Sequence, residues 1–142
     1  MLPYLKFVLV LGFISQGVPM ALAASTNELA AIERAQEACI AADESNAGMR
    51  QCTDAALRDA DDLLNSAYQK ISADLTGRGE TETLTRLKTA QRAWIPFRDA
   101  QCSLASAQML GGTGEPVIQL SCHYKMTVDR VKQLEEQFDS EL

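Results

Sequence analysis

The side chains best suited to chemistry in this sequence are four cysteines, Cys39, Cys52, Cys102 and Cys122, and a single histidine, His123. Thiols in this number either bind a metal or close two disulfides. Metal-binding cysteines come in close pairs such as C-x-x-C, whereas 12, 49 and 19 residues separate these, with one histidine to complete any set. A disulfide framework follows, with no metal. No phosphate loop, dinucleotide fingerprint or metal-binding helix motif is present, so no cofactor is expected. Nucleophilic catalysis needs a nucleophile, a base and an orienting group, and His123 directly follows a cysteine claimed by a disulfide. It reads as a helix-surface residue. Acid-base glycoside chemistry needs two carboxylates facing each other across a cleft. The doublets Asp61-Asp62 and Glu135-Glu136 are neighbours in sequence, and neighbours on a helix point about 100° apart, so both read as solvated faces. The chain is expected not to be an enzyme.

These residues sit behind an export signal. Lys6, the apolar run Phe7 to Ile14, the helix-breaking Pro19 and the small-residue motif Ala21-Leu22-Ala23 follow the order of a cleavable secretory signal, with cleavage expected before Ala24. The run is well short of the roughly 20 residues that span a bilayer, and no cysteine follows the cleavage point to suggest lipidation. No stable membrane insertion is expected after cleavage. Residues 1–23 are thus read as signal, and residues 24–142 as one domain of 119 residues, enough for a modest core. Loss of Lys6 leaves 12 basic against 19 acidic side chains, a net charge of about −7. That balance argues against nucleic acid and favours encounter with basic proteins. Cysteine usage places the domain in an oxidising compartment, periplasmic or secreted.

The mature chain reads as all-α. Ser25-Thr26-Asn27-Glu28 carries a capping-box pattern for a first helix reaching about Ala42, and the turn formers 43–48 connect it to a second. Met49, Cys52, Ala56, Ala60, Leu63, Leu64, Ala67, Ile71 and Leu75 recur at spacings of three and four, giving a long amphipathic helix stopped by Gly77-Arg78-Gly79. Thr81 is placed to cap a third helix whose inward stripe is Leu84, Leu87, Gln91, Trp94 and Ile95, running through Cys102 to Leu110. Pro96 predicts a kink and not a break. After Gly111-Gly112-Thr113-Gly114 a fourth helix begins near Pro116, with Val117, Leu120, Tyr124, Val128, Val131, Leu134 and Phe138 on one face. The expected architecture is a small antiparallel four-helix bundle.

Helix ends then decide the cysteine pairing. Cys39 and Cys52 flank the first connector, and Cys102 and Cys122 flank the glycine loop, each pair at similar heights on facing antiparallel helices. The expected disulfides are Cys39–Cys52 and Cys102–Cys122. The segment Gln91 to Cys102 is the richest in the chain, with aromatic, basic and acidic groups around a proline. Its structural reading places Trp94 in the core and pairs Arg92 or Arg98 with Asp61 or Asp62, with hydrogen bonds added by Asn65 and Tyr68.

These residues also carry a resemblance. The order Cys52, Asp61-x-x-Leu64-Asn65-x-x-Tyr68, Gln91-Arg92-x-Trp94 running to Cys102, Gly111-Gly112-Thr113, Cys122, and Thr127 to Arg130 resembles the LprI-type lysozyme-inhibitor family across nearly all of the mature chain. The resemblance implies a helical, secreted or envelope-attached domain, some of whose relatives inhibit lysozyme. It marks Asp61, Asn65, Tyr68, Arg92, Trp94, Arg98, Asp99 and Arg130 as motif residues with a structural or partner-binding role. The implied function is an exported, non-catalytic inhibitor of lysozyme-type muramidases with a basic lysozyme as its protein partner. The alternative is an envelope interaction or immunity module that binds another protein. Recognition would be sought first in the loop 111–115, since loops on a rigid scaffold carry function.

Overall fold

The computed structural model describes residues 20–138, with side chains from Thr26 onward. The expected signal run Phe7 to Ile14 and Pro19 lie outside the described residues. Four helices follow one another: α1, Met20–Ala42; α2, Asn46–Gly77; α3, Thr81–Ser106; and α4, Glu115–Phe138, with a 3-10 turn at Ala107–Met109. No strand occurs among the described residues. The bundle is all-α, as its periodicity predicts, and no described helix is long and apolar enough to cross a membrane.

Local chemistry sets the helix boundaries. Ser45 caps α2: its hydroxyl accepts from the Gly48 amide at 3.1 Å, and Asp43 Oδ1 in turn accepts from the Ser45 amide at 3.0 Å. These two bonds shorten the expected connector to three residues, because Asn46 to Gly48 already lie in the helix. At the far end of α2, Gly79 takes a positive φ of 73°, and the Arg78 and Glu80 amides reach back to the carbonyls of Asp74 and Leu75. This turn delivers Glu80, not Thr81, to the α3 cap position, where it makes no side-chain capping bond. Thr81 is the first helical residue instead. α1 also starts earlier than its capping pattern predicts, at Met20, so Ser25 to Glu28 lie inside it. Pro96 is accommodated within a continuous α3.

α2 and α4 form the most extensive helix pairing, with α1 packed chiefly on α2 and α3 chiefly on α4. Leu29, Leu64, Ile71, Leu75, Leu87, Val131, Leu134 and Phe138 form the core, flanked by Leu63, Tyr68, Leu84, Trp94 and Val128. Two residues of the predicted α3 stripe are not inward. Ile95 is 45% exposed, because the inward face at that level is already taken by Trp94 and Arg98, and Ile95 lies about 100° round the helix from its neighbour. Leu110 is 80% exposed, since α3 ends at Ser106 and the helical period no longer places it.

Both disulfides form as the helix-end argument requires, with Cα atoms 5.7 Å apart for Cys39–Cys52 and 5.4 Å for Cys102–Cys122. They staple the same end of the bundle, where α1 and α3 finish and α2 and α4 begin. Asn46 Nδ2 donates to Thr113 Oγ1 at 2.9 Å, joining the two connectors there.

Candidate functional site

Five of the eight motif residues gather between α2, α3 and α4 around the guanidinium of Arg98. Successive inward positions of α3, Leu87, Gln91, Trp94, Arg98 and Cys102, fall three or four residues apart, so the helix turns Arg98 into the bundle. Its Nη1 lies 3.1 Å from Asp61 Oδ1 on α2 and 3.1 Å from Thr127 Oγ1 on α4. The Thr127 hydroxyl, fully buried, also points to Asp61 Oδ1 at 3.4 Å. One guanidinium therefore bridges three helices. On its other edge, Nε approaches Asp99 Oδ1 at 3.3 Å, and the same carboxylate oxygen stands 3.4 Å from His123 Nε2. That last contact lacks hydrogen-bond geometry, and His123 Nε2 is buried without a hydrogen-bond partner. His123 is half-buried against α3 and is not the surface residue that sequence suggests.

Trp94 supplies the apolar floor. The Arg98 guanidinium carbon lies 5.1 Å from its ring centroid, and that of Arg130 lies 5.9 Å away. Arg130 Nε donates to Gln91 Oε1 at 3.0 Å, tying α4 to α3. Burial pushes the Arg130 pKa down from the ordinary arginine value, the direction expected when a charged group loses water. Elsewhere on α4, burial and then the carboxylates of Glu33 and Glu37 on α1 raise the Tyr124 pKa.

The structure thus joins Asp61, Trp94, Arg98, Asp99 and Arg130, and leaves three motif residues outside. Arg92 and Asn65 are exposed, and Tyr68 packs beside the core; none of them bonds to the Arg98 cluster. Of the four acid-base pairings considered, Arg98 with Asp61 is the one that forms. Gln133, which bonds to Arg130 at 3.3 Å, was not marked by sequence, and Thr127 was named only as the start of the segment Thr127 to Arg130, with no role of its own. Thr127 sits four residues before Val131 and three after Tyr124, so its place on the inward face of α4 was the available signal.

The cluster is built to clasp helices. His123 faces a carboxylate, but no serine, threonine or cysteine hydrogen-bonds to it, and the one buried hydroxyl nearby, Thr127, is engaged by Arg98 and Asp61. Among the described residues no group of three or more histidine, cysteine, aspartate or glutamate side chains is placed to hold a metal. Surface grooves of about 440 Å³ between α1 and α2, lined by Ala31, Ile32, Leu63 and the carboxylates of Glu28, Asp59 and Asp62, and of about 380 Å³ between α1 and α4, lie away from the cluster.

A disulfide-stapled helical bundle whose polar centre binds its own helices together defines a class of small, cross-linked α-domain. The chain belongs to the lysozyme inhibitor LprI family, whose sequence model matches residues 38–134, a span that holds all four cysteines and the whole Arg98 cluster. It is also 36% identical over 98 residues to the uncharacterized protein R02472 of Rhizobium meliloti (strain 1021), a match covering 63% of this chain and 70% of that protein. No solved structure matches the chain significantly.

Proposed function

We propose that residues 1–23 direct export and are removed, and that the single domain 24–142 acts in the periplasm or outside the cell as a non-catalytic inhibitor of a lysozyme-type muramidase. The observation that carries this reading is the family match, spanning every element from the end of α1 to the last turns of α4. Three features support it. The polar cluster is occupied by internal contacts and offers no free nucleophile, which suits a protein that acts by binding. Two disulfides with closed loops of 13 and 20 residues suit an oxidising compartment and limit the ordering cost of association. The capping-box pattern Ser25-Thr26-Asn27-Glu28 directly follows the expected cleavage point before Ala24, which suits a helix that starts there once residues 1–23 are removed.

A cell-wall turbidity assay with purified, oxidised mature protein tests the proposal. Slowed lysis by at least one lysozyme class at low ionic strength supports it. Unchanged lysis across all classes, with a folded sample, overturns it.

A further inference from the structure

Among the described residues, the large apolar side chains left in water are concentrated in one stretch. Phe97, Leu104, Met109 and Leu110 are all more than half exposed, and the last two crown the turn after α3. This turn is held firmly. The Gly112 amide donates to the Met109 carbonyl at 2.8 Å, the Gly111 amide donates to Glu115 Oε2 at 2.7 Å, and Gly111 adopts a positive φ of 75° that a side chain would strain. Asn46 to Thr113 ties it to the α1–α2 connector, and the Cys102–Cys122 bond closes the helices beneath. Leu110, 80% exposed, is therefore presented by a fixed backbone and not by a floppy one.

Charge singles out the same end. Residues 35–49 and 99–124, the segments that build it, contain Glu37, Asp43, Glu44, Asp99 and Glu115 and no lysine or arginine; Arg34, Arg50, Arg98 and Lys125 border them directly. Toward the opposite, unstapled turn Lys70, Arg78, Arg86 and Lys88 alternate with Asp74, Glu80 and Glu82, and Arg78 and Arg86 pair with those carboxylates. The acidic excess lies at the stapled end, while the opposite turn is close to charge balance. A basic partner is steered to the acidic end, where an apolar apex can be desolvated once it arrives.

We propose that the disulfide-stapled end, with Met109 and Leu110 at its apex and the acidic connector of Asp43 and Glu44 tied to it through Asn46 and Thr113, is the surface that docks a basic protein partner by inserting the apolar tip into that partner's cleft. The proposal rests on the inhibitory reading above and names its surface. Both staples and the Asn46–Thr113 bond serve this end because a preformed apex loses little freedom on binding.

The test measures affinity of the oxidised mature protein for a panel of purified lysozymes of different classes, using any that the unmodified protein binds. Leu110→Asp, and separately the pair Met109→Ser with Leu110→Ser, are expected to weaken binding by roughly tenfold or more, as loss of a central apolar anchor does. Lys88→Glu, at the other end, should leave affinity within about twofold, the scale of a remote charge change. Amide hydrogen exchange on the unmodified protein should show protection of residues 110–114 in the complex. Wild-type affinity in the Leu110 variants, or protection confined to the α2–α3 end, overturns the surface while the inhibitory function stands. Failure of the unmodified protein to bind any panel member overturns both.

Discussion

Replacing Arg98 with methionine removes one guanidinium from between three helices while keeping much of its stem volume. Its ion pair with Asp61 is discounted first, because that carboxylate is 41% exposed and water screens it; such pairs are worth about 0.5–1 kcal/mol. The charged bond to the buried Thr127 hydroxyl contributes about 1–1.5 kcal/mol, and the approach to the Trp94 face about 0.5 kcal/mol. The expected loss is about 2–3 kcal/mol, which for a domain of this size lowers Tm by roughly 6–12 °C. Thermal unfolding followed by far-UV circular dichroism, with Arg92→Met alongside, provides the assay. Arg92 is exposed and should shift stability by less than about 0.5 kcal/mol. A double-mutant cycle with Asp61→Asn should return a coupling of about 0.5–1 kcal/mol. If Arg98→Met costs no more than Arg92→Met, the cluster does not hold the helices and the reasoning fails.

Further outcomes follow from other contacts. Replacing either cysteine pair with serine should cost about 3 kcal/mol in the chain-entropy account, read as a drop in denaturation midpoint, with the remaining bond intact by mass. Gly48→Ala should destabilise by about 1–3 kcal/mol, since an added Cβ would stand 2.4 Å from the Asp43 carbonyl oxygen and disturb the α2 cap; Gly77→Ala, where nothing lies within 4 Å, provides the contrast. Tyr124 should ionise above the ordinary tyrosine range in an ultraviolet titration, and Glu33→Gln should bring it down, because burial and then the Glu33 carboxylate raise it. With a folded pKa above the unfolded one, the stability linked to this phenol is present below the unfolded value and lost as pH rises through the folded one. Asp43 has the opposite sign. Hydrogen bonds from Ser45 hold its pKa below 3.8, so the linked stability is present above that value and fades in more acidic solution, an effect that Asp43→Asn should abolish in an acid-unfolding curve.

The residues that were legible in the sequence are those whose neighbours are set by local geometry. Leu64, Ile71 and Leu75 recur at helical spacing, so their burial follows from period alone, and the cysteines flank two connectors, so antiparallel packing brings them together. Arg98 and Asp61 needed one further step, the expectation that a charge turned inward finds an opposite one. What escaped depends on tertiary placement. His123 is half-buried because α4 turns it toward Asp99, and Thr127 joins the cluster because α4 crosses Arg98 at that level; neither crossing is written in the spacing of α4 itself. Ile95 and Leu110 fit an apolar pattern yet face water, because the first shares a turn with Trp94 and the second lies beyond the helix that defined the pattern. A helical stripe predicts a face and not what the neighbouring helix leaves uncovered.

The most direct measurement of the central claim is a stoichiometric titration: residual muramidase activity against added oxidised mature protein, at fixed enzyme concentration. A non-catalytic inhibitor lowers activity in proportion to the complex formed, reaches its end point at a fixed molar ratio, and leaves both proteins intact by mass. Activity that stays constant over the whole range, or that is lost progressively at substoichiometric amounts with cleavage of the enzyme, contradicts the account.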